Sequence, residues 1–411
     1  MGVTGKSATS RQSVSKRRVF YIPGYDPMLP RRYRELYRSE GAKQAAISGY
    51  DLKLEGRQGA GNYGWQVTSN IDGCRVETSF EFLLWSDIVQ TSMNRSIAGT
   101  FVMLAHVVWI YVSTGALWHL TKLRKGPVIA ALYPVFMLTL QLILGVLAGL
   151  LVFWGAGIWV HPLLGAVLGP LALGAVMVWF RRQDNRLYAY YLLHDYAFSA
   201  RYYGANPPAL EARMAQFADE IGKALEDDLD EGLVVGHSSG AHLGVSVLAD
   251  LLRRTTPAPM GPRLAFLSLG QVVPMVSFLP KADRLRGDLR FLSSQKNLTW
   301  IDVTAPGDGC TFALVDPVGV SGVAPEEGQL WPRVISAAFS QTLSPALYKS
   351  LKWRFFRLHF QYLCAFDLPR DYDYFQITAG PKSLADRYRD RPQSPSRIVA
   401  PLSPYREWSA S

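Results

Sequence analysis

Gly232-Leu-Val-Val-Gly-His-Ser-Ser-Gly240, running on into Ala-His-Leu-Gly-Val-Ser-Val-Leu-Ala-Asp-Leu-Leu252, is the stretch that decides the fold. A short apolar run leads into Gly-x-Ser-x-Gly and then into apolar residues at helical spacing, so a buried strand, a sharp turn and a helix are expected in succession. Gly236 and Gly240 stand two residues either side of Ser238. Without Cβ atoms they permit a strained turn that lifts the serine hydroxyl above the end of the strand.

Working outward, Arg18-Val-Phe-Tyr-Ile22 before Pro-Gly-Tyr-Asp-Pro reads as another buried strand ending in a turn, and Thr78-Ser-Phe-Glu-Phe-Leu-Leu-Trp85 as a third. Residues 209 to 227 carry Met214, Phe217, Ile221 and Leu225 at helical spacing. Further strands are expected at 263 to 269 and 298 to 303, with a polar helix at 282 to 293 between them. Strands alternating with helices indicate an α/β protein with a mostly parallel sheet covered by helices on both faces.

A serine nucleophile needs a base and an acid to orient it, in the chain order Ser, Asp or Glu, His. Of the seven histidines, only His359 lies far enough beyond Ser238 to follow a later acid. It is therefore the expected base. Strand 298 to 303 runs into Thr-Ala-Pro-Gly-Asp308-Gly, whose loop lies beyond the same sheet edge as the serine, so Asp308 is the preferred acid, with Asp302 and Asp316 as alternatives. An oxyanion would be held by the Ser239 N–H and by the Tyr25 N–H of Pro23-Gly-Tyr25.

On these residues the chain resembles the α/β-hydrolase superfamily, of the lipase-like and esterase-like kind, over residues 17 to 87 and about 185 to 380. The early loop departs from the common His-Gly-aromatic pattern in reading Pro-Gly-Tyr, and Ser239 replaces the frequent Met or Gln after the nucleophile. The resemblance implies a reaction class: cleavage of an ester or thioester through an acyl-Ser238 intermediate. Acyl transfer by the same three residues, or a catalytically silent membrane scaffold, are the alternatives. No His-Glu-x-x-His and no complete P-loop occur, and neither a cofactor nor a metal is expected.

Residues 128 to 180 form 53 consecutive positions without Asp, Glu, Lys or Arg. At 1.5 Å per residue they can cross a roughly 30 Å hydrocarbon layer twice, so a transmembrane hairpin is expected, breaking near Gly155. Lys122 to Lys125 flank one end and Arg181 with Arg182 the other, which puts both ends and the catalytic domain on the cytoplasmic side. Residues 97 to 120, also uncharged but more polar, should lie in the interface or against the hairpin.

The net charge of +10 gathers beside these apolar runs and near the N-terminus, favouring anionic lipid headgroups over nucleic acid as the partner, with an amphiphilic ester as substrate. Three widely spaced cysteines exclude a disulfide framework and a clustered zinc site. The first 30 residues hold no signal-peptide core. The expected organisation is a basic tail (1 to 16), an α/β-hydrolase domain (17 to 95 and 185 to 381), a membrane-associated helical insertion (96 to 184) and a disordered tail (382 to 411).

Overall fold

The computed structural model describes residues 13 to 57, 62 to 255 and 263 to 409. In chain order the main elements are β1 (Lys16–Ile22), α1 (Arg31–Ser48), β2 (Asp51–Gly56), β3 (Gly64–Ile71), β4 (Cys74–Phe82), α2 (Ser86–Met93), α3 (Ile97–Ser113) and α4 (Ala116–Thr121). The long apolar helices α5 (Lys125–Trp159) and α6 (Pro162–Arg182) follow, then α7 (Ala189–Ala200), α8 (Pro208–Ala224), β5 (Glu231–His237) and α9 (Ser239–Arg254). The chain continues through β6 (Arg263–Leu269), α10 (Asp283–Ser293), β7 (Leu298–Thr304), β8 (Arg333–Ser336) and α11 (Phe355–His359).

The strands form one eight-stranded sheet in the order β2-β3-β4-β1-β5-β6-β7-β8. Pairing is parallel from β4 through β8, while β3 runs antiparallel to both β2 and β4. Val19 pairs with Leu233, and their side chains enter one apolar core with Tyr21, Phe80 and Val235. Phe20, Ile22 and Val234, one residue out of step, enter the other with Phe266 and Trp300. Burial on both faces explains why the central strands read as unbroken apolar runs. The expected α/β architecture is present.

Helices α5 and α6 are long and apolar enough to cross a membrane. They pack through glycines, a Cβ on Gly149 falling 3.0 Å from the Gly169 carbonyl oxygen, as small residues let helix backbones approach. Trp154, Ile158, Trp159 and Leu163 near the tip are exposed.

The break lies at Val160 and His161, later than Gly155. Gly155 and Gly157 stay inside α5, whereas Pro162 opens α6 as its first residue and the His161 ring accepts from the Leu163 N–H at 3.2 Å. Proline is pre-organised at such a position, while glycine in an apolar helix need not end it. Because β1 and β5 pair directly, any crossings between them are even in number. α3 turns by 104° from α2 and buries Leu104, Val107 and Ile110 against its neighbours.

Where they are described, the two expected tails are packed. Residues 1 to 12 lie outside the described residues, but Val14 is buried and the Ser15 N–H and hydroxyl donate to Asp230 at 2.7 and 2.8 Å. Residues 382 to 409 are packed: Leu384 and Tyr388 are buried, Ile398 bridges to Val315, and Arg286 donates to the Glu407 carbonyl at 2.5 Å. Proline and arginine made this segment read as solvated, but its partners are distant in sequence and composition cannot show them.

Candidate active site

Ser238 sits between β5 and α9 with φ 57° and ψ −122°, a conformation that a non-glycine residue rarely adopts and that costs about 1–3 kcal/mol. Its N–H donates to the Leu269 carbonyl on the neighbouring strand at 2.9 Å, and its carbonyl accepts from Ala241 at 3.0 Å, which hold the turn. The flanking glycines answer to crowding. A Cβ on Gly236 would come within 2.6 Å of the Gly240 carbonyl, and one on Gly240 would collide with the Ile22 carbonyl.

His359 ends α11, 6% exposed, and its Nδ1 lies 2.7 Å from Asp308 Oδ2. Asp308 occupies the loop after β7 and is buried; its other oxygen accepts from the Cys310 N–H at 2.9 Å. The His359 carbonyl accepts from His237 Nε2 at 3.1 Å, and the two imidazoles lie 4.8 Å apart. Burial, and then the proximity of His359, lower the His237 pKa to about 3. It is therefore a neutral donor pinning the backbone beneath His359.

Of the alternative acids, Asp302 is inside β7, accepting from Ser268 Oγ at 2.5 Å, and Asp316 caps a short helix by accepting from the Val318 and Gly319 N–H groups. Neither bonds to His359.

Ser238 and His359 line one pocket of about 70 Å³, together with Gly24, Tyr25, Ser239 and Asp195. Among the described residues no hydrogen bond joins the Ser238 hydroxyl to the imidazole; such contacts are often loose without substrate. Loop 23 to 25 closes one wall, where a Cβ on Gly24 would stand 3.4 Å from Ser238 Oγ. The Tyr25 N–H has no acceptor among the described residues, while its carbonyl accepts from Tyr191 and its hydroxyl meets Ser92 at 2.5 Å. The Ser239 N–H opens α9 and so has no intrahelical acceptor. Both residues line the pocket with Ser238.

No family model matches the chain, and no curated protein or solved structure matches it significantly.

Asp195 was not among the sequence-level candidates. It enters the pocket from α7, the first long helix after the apolar hairpin, and accepts a long 3.4 Å bond from Ser239 Oγ. Burial raises its pKa to about 7, opposed by His359 and by the Ser239 bond. No motif surrounds it, and its neighbours in α7 are apolar and aromatic, so the sequence carries no local signal for it.

Asp308, Cys310 and His359 bring three ligand-type atoms within 4.8 Å of one another. As a metal set they fit poorly. His359 Nδ1 is already hydrogen-bonded to Asp308, and burial together with the Asp308 charge pushes the Cys310 thiol well above its ordinary pKa, which disfavours the thiolate that metals require.

Proposed function

We propose that this protein is a membrane-anchored serine hydrolase of the α/β-hydrolase kind, cleaving an ester or thioester of a lipid-like substrate. The observation that carries the reading is the Asp308–His359 hydrogen bond opening on the same pocket as a serine held at positive φ. A strained serine turn between strand and helix places a hydroxyl where a carbonyl carbon can reach it, and a carboxylate on Nδ1 fixes the tautomer that leaves Nε2 free to accept a proton.

In this reading Ser238 Oγ attacks the carbonyl while His359 Nε2 takes its proton. The oxyanion is held by the Ser239 and Tyr25 amides, donors fixed by the backbone on which negative charge is stabilised without reorganising solvent. Collapse expels the alcohol or thiol, which takes the proton from His359, and leaves an acyl-Ser238 ester. Water, deprotonated by the same imidazole, adds to that ester and releases the acid, restoring Ser238. The apolar hairpin anchors the domain with its cationic base toward anionic headgroups on the cytoplasmic side. Acyl transfer would differ only in the last acceptor.

The test is pre-steady-state hydrolysis of p-nitrophenyl acetate by the detergent-solubilised full chain. A burst of p-nitrophenol near one equivalent per chain, absent in Ser238→Ala, is expected. Equal release by both proteins would end the reading.

A further inference from the structure

Helix α7 is a partition. Asp195 and Tyr191 face the pocket that holds Ser238, while Leu193 faces a second cavity of about 80 Å³ enclosed with α3, α4 and α5. Only aliphatic side chains, Met275 and the rings of Tyr111 and Tyr196 line this second space. The Tyr111 hydroxyl is engaged, donating to the Met275 carbonyl at 2.9 Å. Such a cavity offers no partner to water and suits hydrocarbon.

Tyr196 and Met275 line both cavities, so two side chains divide the apolar space from the serine pocket. The outer lip faces the other way. Val112 on α3 and Leu132 on α5 border the cavity and are 58% and 45% exposed. Trp109, Ile129 and Phe136 on the same two helices continue an exposed apolar surface around the lip. A cluster of that kind marks a surface that meets another apolar phase.

From these contacts we infer that the cavity between α3, α5 and α7 is the acyl-chain site of the reaction, entered sideways from the bilayer past Val112 and Leu132. The inference rests on the serine-hydrolase reading and specifies its substrate class as an ester or thioester of an unbranched fatty acid. The carbonyl lies at Ser238, and the first methylenes pass Tyr196 and Met275 into the dry space. A volume of about 80 Å³ is roughly half that of a dry cavity known to hold benzene, so only a few methylenes are enclosed and the remainder lies in the lip.

The experiment uses the full chain in detergent with p-nitrophenyl esters of increasing acyl length. The readout is the slope of log kcat/KM against carbon number within each protein. Wild type is expected to gain about fourfold per enclosed methylene over the first few carbons and then level off. Val108→Trp, which fills the cavity from α3, should flatten the slope, and Leu132→Ala, which widens the lip and is the milder change for folding, should move the plateau to longer chains.

Identical slopes in wild type and both variants would overturn the acyl-chain site while leaving the hydrolase reading standing. A wild type that turns over none of the esters, including acetate, would overturn both.

Discussion

Asp308 Oδ2 and His359 Nδ1 meet at 2.7 Å inside the protein, brought together from the loop after β7 and the end of α11. His237, the residue before the serine, donates to the His359 carbonyl, so the strand that carries the serine also positions the imidazole backbone. The pair is thereby tied to the sheet from two sides.

Asp308→Asn should lower kcat by about 10³–10⁴ with little change in KM, because an amide favours the wrong imidazole tautomer without disturbing the pocket. Asp316→Asn, which touches a helix cap and not His359, should stay within about threefold of wild type. Steady-state kinetics on one ester checks both. Comparable losses in the two variants would remove Asp308 from its proposed role.

The carboxyl of Asp195 adds a pH effect. With burial raising its pKa to about 7, it is neutral below that pH and becomes an anion beside Ser239, whose amide would hold the oxyanion, as pH rises. Negative charge there opposes the transition state, so kcat/KM should fall above about pH 7. Asp195→Asn should lose that descending limb. A wild-type profile that stays flat to pH 9 would contradict this.

A stability effect is expected at Asp302. Burial raises its pKa to about 8 in the folded chain, against a usual value near 3.9 when unfolded, so the folded state binds this proton more tightly. The contribution is complete below about pH 4 and is lost as pH rises toward 8, on the order of a few kcal/mol. Asp302→Asn should therefore flatten the decline of Tm between pH 5 and pH 9 relative to wild type. Thermal unfolding in one detergent across that range measures the difference.

If α5 and α6 cross the bilayer as a hairpin, cysteines at Lys125 and Arg182 must be reached from one side and a cysteine at Gly157 from the other. Membrane-impermeant maleimide on oriented vesicles tests this, with the free cysteines Cys74 and Cys310 first changed to Ser. Labelling of positions 125 and 182 from opposite sides would break the topology.

Local signals carried most of what the sequence revealed. The turn at Ser238 was legible because its glycines answer to atoms within a few residues or on the adjacent strand. Asp308 and His359 were reached through chain order, and they do meet. β3 carried signals that the sequence reading left unused: Trp65, Val67 and Ile71 alternate inward, and Asp72-Gly73, at φ 54° and 74°, is the two-residue hairpin turn joining β3 to β4, of the type an Asp-Gly dipeptide favours. Other features had no local signal. Asp195 reaches the pocket only because α7 packs beside it, and the order of residues 382 to 409 depends on partners such as Asp283 and Val315 more than 80 residues away in several cases.

Covalent labelling by a fluorophosphonate, located by peptide mass spectrometry, tests the central claim most directly. The account predicts one adduct per chain on Ser238, no adduct in Ser238→Ala, and labelling slowed by orders of magnitude in His359→Ala. Undiminished labelling of the Ser238→Ala chain, or a folded wild type that takes up no probe, would contradict it.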